Sequence, residues 1–248
     1  MITIKTEQQI SLMRESGRLT KGVLDLIGRE IKPGMTTKDL DKLAYDFIHS
    51  CGGVPSFLGY NGYPASICAS IDEMVVHGIP NDNTVIKEGQ LVSIDVGVIY
   101  NGWQGDAART FAIGDVSEEK RKLLRVTEEC FFKAIERVKD GTPIGDIGYA
   151  VQTHAESNGF SVVRALVGHG IGRDMHEDPS VPNYGKKGTG IRLKKGMTIA
   201  IEPMINAGVY QVEFLPDGWG VVTRDRKPSA HYENTVAITD NGVEILTL

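Results

Sequence analysis

Cysteine is scarce in this chain: Cys51, Cys68 and Cys130 are the three in 248 residues. Odd in number and without metal-knuckle spacing, they argue against a disulfide framework, and each is read as a small buried hydrophobe. A long unbroken apolar run is also missing. The opening stretch, MITIKTEQQISLMRESG, places polar residues at every third or fourth position, unlike a signal peptide or a membrane span. The expectation is a cytoplasmic protein without membrane contact. Nor is positive charge in excess: 27 Lys and Arg stand against 32 Asp and Glu, a net charge of -5, with no long basic patch. That balance speaks against direct DNA binding and against a membrane-surface binder.

What is present is a hairpin signal with chemistry in it. Leu91 to Phe111 reads LVSIDVGVIYNGWQGDAARTF, two strand-like runs joined by Asn101-Gly102. With those two residues as the turn, Tyr100 faces Trp103, Asp95 faces Ala108 and Asp106 faces Gly97. Both aspartates then share one face, diagonal neighbours roughly 7–8 Å apart at the backbone. Gly97 and Ala108 are expected to leave the space between them open. Asp is depleted in strands and costly to bury unpaired, so a cation is expected there, unless each carboxylate is satisfied by a backbone amide or by an Arg such as Arg109.

Along the chain, Thr6 is positioned to cap a first helix carrying Ile10, Met13, Leu19, Val23 and Ile27 at helical spacing and ending before Lys32-Pro33-Gly34. A second helix is expected from about Thr37 to Cys51, stopped by Gly52-Gly53. A Gly- and Tyr-rich loop, PSFLGYNGYP, precedes a strand near Ser66 to Ser70. Ser117 opens a long helix to about Val138, and a shorter helix runs from near Gly145 to Ser157.

The second half resembles the first at an offset of 107 residues, Lys32 falling on Lys139. In that register Asp39-Leu40 falls on Asp146-Ile147, Gly52 on Gly159, Lys87-Glu88-Gly89 on Lys194-Lys195-Gly196, and Ser93-Ile94-Asp95 on Ala200-Ile201-Glu202. One ungapped register through separate blocks predicts two copies of a helix-then-strand unit. Two copies are too few for a solenoid, so the expectation is one domain of approximate two-fold symmetry, 1–248, with halves near 6–115 and 116–248 and helices outside the strands.

Five residues form a candidate ligand set: Asp95 and Asp106, Glu202 in TIAIEP, Glu233 in HYENTVAI and His169 in VGHGIGRDMH. Four converging carboxylates without cations would repel one another. Two divalent ions remove the conflict, and an oxygen-rich set with one imidazole suits manganese, iron(II) or cobalt better than a structural zinc site. Such a pair is hydrolytic machinery. His77 and His176 are further candidates, because His77-Gly78-Ile79 repeats as His169-Gly170-Ile171 and the glycines allow close backbone approach by a ligand. His154 and His231 are read as ordinary structural histidines.

The pieces SICASIDEMVVHGIP, VSIDVG, GDAARTF, GHGIGRDMHEDP, IAIEPM and YENTVAIT together resemble the type I methionine aminopeptidases of the bacterial kind over nearly the whole chain. The resemblance implies an α+β pita-bread fold, two pseudo-symmetric halves with a central antiparallel sheet and outer helices. It implies that Asp95, Asp106, His169, Glu202 and Glu233 hold two divalent ions (cobalt, manganese or iron(II), with zinc an option), Asp106 and Glu233 bridging. Glu202 matches the family's general base or proton shuttle, His77 the contact to the substrate amide, and His176 the residue stabilising the carbonyl or oxyanion. The methionine pocket would be Phe57, Tyr60, Tyr63, Cys68, Met175 and Trp219. Some relatives carry Cys at the position of Phe57, His at Asn61 and Phe at Met175, which alters the pocket's outer contour. The implied activity is removal of the initiator methionine from nascent polypeptide N-termini when the second residue is small, by a monomer able to work at the ribosome.

Proline-directed peptidases share the ligand pattern but generally carry a sizeable N-terminal domain. Type II methionine aminopeptidases have an insertion in the second half, and eukaryotic type I forms have a zinc-binding extension; neither is found here. A binding module on the same scaffold would have lost ligands, whereas all five positions are filled, with His77 and His176 beside them.

Overall fold

The computed structural model describes residues 2–136 and 138–248. Helix α1 (Glu7–Glu30) begins in a capping box: the Gln9 amide donates to the Thr6 hydroxyl, and the Gln9 side chain accepts from the Thr6 amide. Ile10, Met13, Leu19, Val23 and Ile27 form its buried face, as their spacing predicts. Thr36 and Asp39 cap α2 (Thr37–Ser50) in the same way. Gly52, at φ +75°, then supplies the left-handed turn out of the helix. Ser117 caps α3 (Glu118–Ile135), which stops three residues short of the expected Val138. The Val138 amide instead donates to the Ile135 carbonyl, a tightened turn that leaves the helix; Arg137 lies outside the described residues. The fourth helix, α4 (Gly145–Ser157), has the expected bounds.

In chain order the strands among the described residues are β1 (Val54–Pro55), β2 (Ile67–Ile71), β3 (Met74–Val76), β4 (Leu91–Tyr100), β5 (Trp103–Ala112), β6 (Ser161–Val162), β7 (Gly168–Gly170), β8 (Glu177–Val181), β9 (Thr198–Ile201), β10 (Met204–Asn206), β11 (Val212–Phe214), β12 (Val221–Thr223), β13 (Ser229–His231), β14 (Asn234–Thr239) and β15 (Gly242–Ile245). Each pairing is antiparallel. The β4–β5 hairpin turns at Asn101-Gly102 with Tyr100 opposite Trp103, Asp95 opposite Ala108 and Gly97 opposite Asp106.

The expected central sheet is divided into four: the hairpin with β1 and β2, the five-stranded β15-β14-β9-β7-β8, and two of three strands, β13-β10-β6 and β11-β12-β3. Pro203 explains one division. It has no N–H to continue a ladder, so Glu202-Pro203 separates β9 from β10 and sends them to different sheets. The hairpin is stitched to the second half by reciprocal backbone bonds between Ala108 and Glu233, 3.0 and 3.4 Å. Beside them the Thr235 hydroxyl accepts from the Asp106 amide (3.0 Å) and donates to the Asp106 carbonyl (2.9 Å).

Helices lie outside this layer of strands. Leu19, Val23, Ile27, Leu40 and Ile48 pack on Ile67 and Ile94 in the first half. Leu123, Phe131, Ile147 and Val151 pack with Ile199 and Ile201 in the second. Two isolated bridges, Thr36 to Val85 and Pro143 to Arg192, differ by 107 residues at both ends.

Helix α1 sits close to the hairpin because Gly105 carries no side chain towards it. A Cβ on Gly105 would stand 2.8 Å from the Gly17 nitrogen, and the Ser16 and Thr20 hydroxyls donate to the carbonyls of Trp103 (2.8 Å) and Gly105 (3.1 Å). Gly105→Ala must push the helix off the strand that carries Asp106. It should cost about 1–3 kcal/mol of unfolding free energy, the usual range for overpacking, read as a lowered urea midpoint. An unchanged midpoint would show that the close approach carries no stability.

Candidate metal centre

Period-two alternation puts Asp95 and Asp106 on one face of the hairpin, where the two buried carboxyl groups act on each other as like charges. The space above Gly97 is not open, contrary to the expectation: a Cβ there would lie 2.6 Å from Met175 Cε and 2.9 Å from Phe57 Cε1. The glycine makes room for side chains that wall the site. Arg109 does not satisfy the aspartates. It pairs with Ile94, one residue before Asp95 and so on the other face. Its guanidinium donates to the Glu233 carbonyl and to Asn234 Oδ1 (2.7 Å), 4.1 Å from the centroid of the Tyr232 ring.

Glu202 and Glu233 enter from just beyond β9 and just before β14, which pair with Ile201 opposite Asn234. His169 is on β7, opposite Ala200. Its Nδ1–H donates to the Gly170 carbonyl at 2.8 Å, which leaves the Nε2 lone pair facing Asp106 Oδ2 at 3.7 Å and Glu202 Oε1 at 3.8 Å. Atoms of Asp106, His169 and Glu233 all lie within 4.8 Å of one another, as do atoms of Asp95, His231 and Glu233.

Burial, then like charge, drives the electrostatics. It holds Asp95, Glu202 and Glu233 well above the ordinary carboxylate range, with Asp106 raised beside them. Burial lowers His169, so its imidazole is neutral. Asp95 Oδ1, Asp106 Oδ1 and Glu233 Oε1 are buried without a hydrogen-bond partner among the described residues. Each such orphan costs about 1–3 kcal/mol. Oxygen donors of this kind with a neutral imidazole fit divalent cations.

A cavity of about 180 Å³ opens beside this cluster. Phe57, Tyr60, Tyr63, Cys68 and Trp219 line it, with His77 and His176. Cys68 reaches it because β2 pairs it with Asp95; burial raises its thiol, so it is a neutral wall and not a thiolate. Trp219 packs edge-on against Tyr63, ring centroids 5.0 Å apart. Met175 is not among the lining residues and instead backs the site, buried with Phe57 and Trp103. His176 lies 4.3 Å from the His169 ring, its Nδ1 2.7 Å from the Tyr60 hydroxyl. Burial, then His169, brings its pKa down to about 4.

Backbone geometry explains the repeated His-Gly-Ile. His77 holds φ +60°, a strained conformation for a non-glycine residue. The glycines serve neighbouring chain, not a ligand: a Cβ on Gly78 would be 2.3 Å from the Ala69 carbonyl oxygen, and one on Gly170 would be 2.1 Å from that of Asp178.

Residues 11–240 match the model of metallopeptidase family M24. The chain belongs to that family. It is 54% identical over 248 residues to the methionine aminopeptidase of Clostridium acetobutylicum, covering 100% of this chain and 99% of that protein. Methionine aminopeptidase 1 of Bacillus subtilis is 49% identical over 247 residues, with 100% and 99% covered. The crystal structure of methionine aminopeptidase from Rickettsia prowazekii matches with a TM-score of 0.98 at 48% identity, covering all of both chains. The α+β pita-bread fold of M24 is therefore the fold of this chain, with its antiparallel pairing carried by four sheets.

Within this M24 site, His231 is the residue that sequence reasoning passed over as structural. It is 2% exposed and lies 3.6 Å from Glu233 Oε2. A signal existed, since His231 and Glu233 are two apart in an extended segment and so share a face. His154, by contrast, pairs with Glu129 at 2.8 Å, away from the centre.

Raised carboxylates mean that the metal-free fold holds protons that the unfolded chain releases. Their contribution is fully present below about pH 4 and is lost as pH rises towards neutrality. In chelator, Asp95→Asn should therefore gain stability relative to the parent as pH goes from about 4 to 7, read from thermal midpoints. A difference independent of pH would contradict the shift.

Proposed function

We propose that the chain removes N-terminal methionine from nascent proteins when the second residue is small, by hydrolysis of the first amide bond. The observation that carries this reading is the meeting, at the end of one aromatic-walled cavity, of five donors that match the ligands of the methionine aminopeptidases it resembles. Asp95, Asp106, His169, Glu202 and Glu233 would hold two divalent ions; manganese, iron(II) and cobalt suit the donors, and zinc is tolerated. When bound, such ions supply Lewis-acid polarisation of a carbonyl and lower the pKa of water towards neutrality.

The remaining steps belong to side chains. Glu202, which lines the cavity beside the other carboxylates, is suited in its ionised form to take a proton from the attacking water and return it to the leaving amine. His176 is neutral; with its Nδ1 accepting from the Tyr60 hydroxyl, the Nε2–H is free to donate to the developing oxyanion. His77, fixed by its strained backbone, lines the cavity and is assigned the contact to the amide of the scissile bond. The cavity has room for about six waters at roughly 30 Å³ each, enough for one unbranched thioether. Phe57, Tyr63, Cys68 and Trp219 give it apolar walls, and Tyr60 stands at its rim.

Two features of the reading concern the whole molecule. The chain is one catalytic domain of two related halves, supported by the bridge pairs 107 residues apart. It works in the cytoplasm as a monomer on chains leaving the ribosome, a setting that follows from the substrate. No helix among the described residues is long and apolar enough to cross a membrane.

Metal-stripped protein reloaded with cobalt or manganese should release methionine from Met-Ala-Ser but leave Ala-Pro-Ser intact. Preference for the Ala-Pro peptide would move the chain to the proline-directed branch of the fold. Asp106→Ala should abolish cleavage, and His176→Ala should lower kcat by about 10²–10³-fold, the scale of one lost oxyanion donor. Full activity in either variant would refute the roles assigned. Met-Lys and Met-Phe peptides should be poor substrates, and efficient cleavage of them would refute the small-residue rule.

A further inference from the structure

His231 ends β13, and its backbone is fixed on both sides. Its amide donates to the Thr110 hydroxyl (2.9 Å), the same hydroxyl donates to its carbonyl (2.9 Å), and it pairs with Met204, two residues after Glu202. The side chain is buried, and Nε2 has no hydrogen-bond partner among the described residues. An unmatched ring nitrogen at such depth needs an explanation.

Distances supply one. Nε2 stands 3.6 Å from Glu233 Oε2, too far for a hydrogen bond. It is the separation of two donors on one cation, since bonds of about 2.0–2.2 Å at tetrahedral or octahedral angles set neighbouring donors roughly 3.0–3.6 Å apart. His169 shows almost the same spacing to its own carboxylates, 3.7 and 3.8 Å. The two triads are built alike: each joins one hairpin aspartate and one imidazole through Glu233. On the His231 side, Asp95 Oδ1 and Glu233 Oε1 are also without partners.

We propose that His231 is a second imidazole donor of the metal centre, forming with Asp95 and Glu233 a position opposite the one formed by Asp106, His169 and Glu233. The inference rests on the reading of this cluster as a two-ion site. A second nitrogen donor would make the Asp95 side more selective for cobalt, nickel or zinc over manganese than an all-oxygen set.

The test uses the full chain, stripped of metal and titrated with cobalt(II), with calorimetry for affinity and X-ray absorption at the cobalt edge for ligand count. Two ions and two imidazoles per pair are expected in the parent, a measurement that needs no variant to fold. His231→Gln and His231→Asn should each keep two ions, lose one imidazole, and weaken one ion by about tenfold or more. One imidazole per pair in the parent, or unchanged affinity for both ions in the variants, would overturn the proposal while leaving the two-ion site intact. Failure of the parent to bind two ions would instead remove the two-ion reading and this inference with it.

Discussion

Four carboxylates and the His169 imidazole meet at one buried cleft, and the cost of that meeting shapes the rest of the molecule. Separately, each carboxylate could have been matched by an amide or a guanidinium. Together they repel, and Arg109 hydrogen-bonds the Glu233 carbonyl from the far face of the hairpin instead of pairing with the carboxylates. Without ions, burial and like charge push Asp95, Glu202 and Glu233 upward, so the cluster holds protons. With divalent ions the same oxygens become an asset, and the orphaned atoms find partners.

Holding such a cluster together demands rigid supports, and these come from both halves. The hairpin supplies two aspartates by alternation alone. Thr235 grips the backbone of Asp106 from β14, and the Ala108–Glu233 bonds fix the neighbouring glutamate to the same strand. Glycines then let the layers approach: Gly105 admits α1 behind the hairpin, and Gly78 and Gly170 admit neighbouring chain behind the two histidines. The site therefore sits where the halves meet, so that its geometry depends on the packing of each half on the shared strands.

Much of this was legible in the sequence because it depends on local rules. Asn101-Gly102 set the hairpin register, Thr6 and Ser117 announced helix starts, and the offset of Lys32 to Lys139 foreshadowed the paired bridges. The features that were not legible depend on tertiary approach. Nothing local says that Met175 and Phe57 fill the space over Gly97, or that Glu202-Pro203 parts one strand run into two sheets. His231 falls between the two: its spacing from Glu233 was visible, but its value depends on Asp95 lying across from it. The end of α3 was overrun for a similar reason, since apolar spacing continues to Val138 after the backbone has turned.

The central claim is that these carboxylates are gathered to hold a pair of divalent ions. Anomalous diffraction from crystals grown with manganese tests it most directly. The account predicts two adjacent peaks in the cleft, sharing Asp106 and Glu233 between them, with His169 at one of the two. A cleft without anomalous density at neutral pH and millimolar manganese would contradict it.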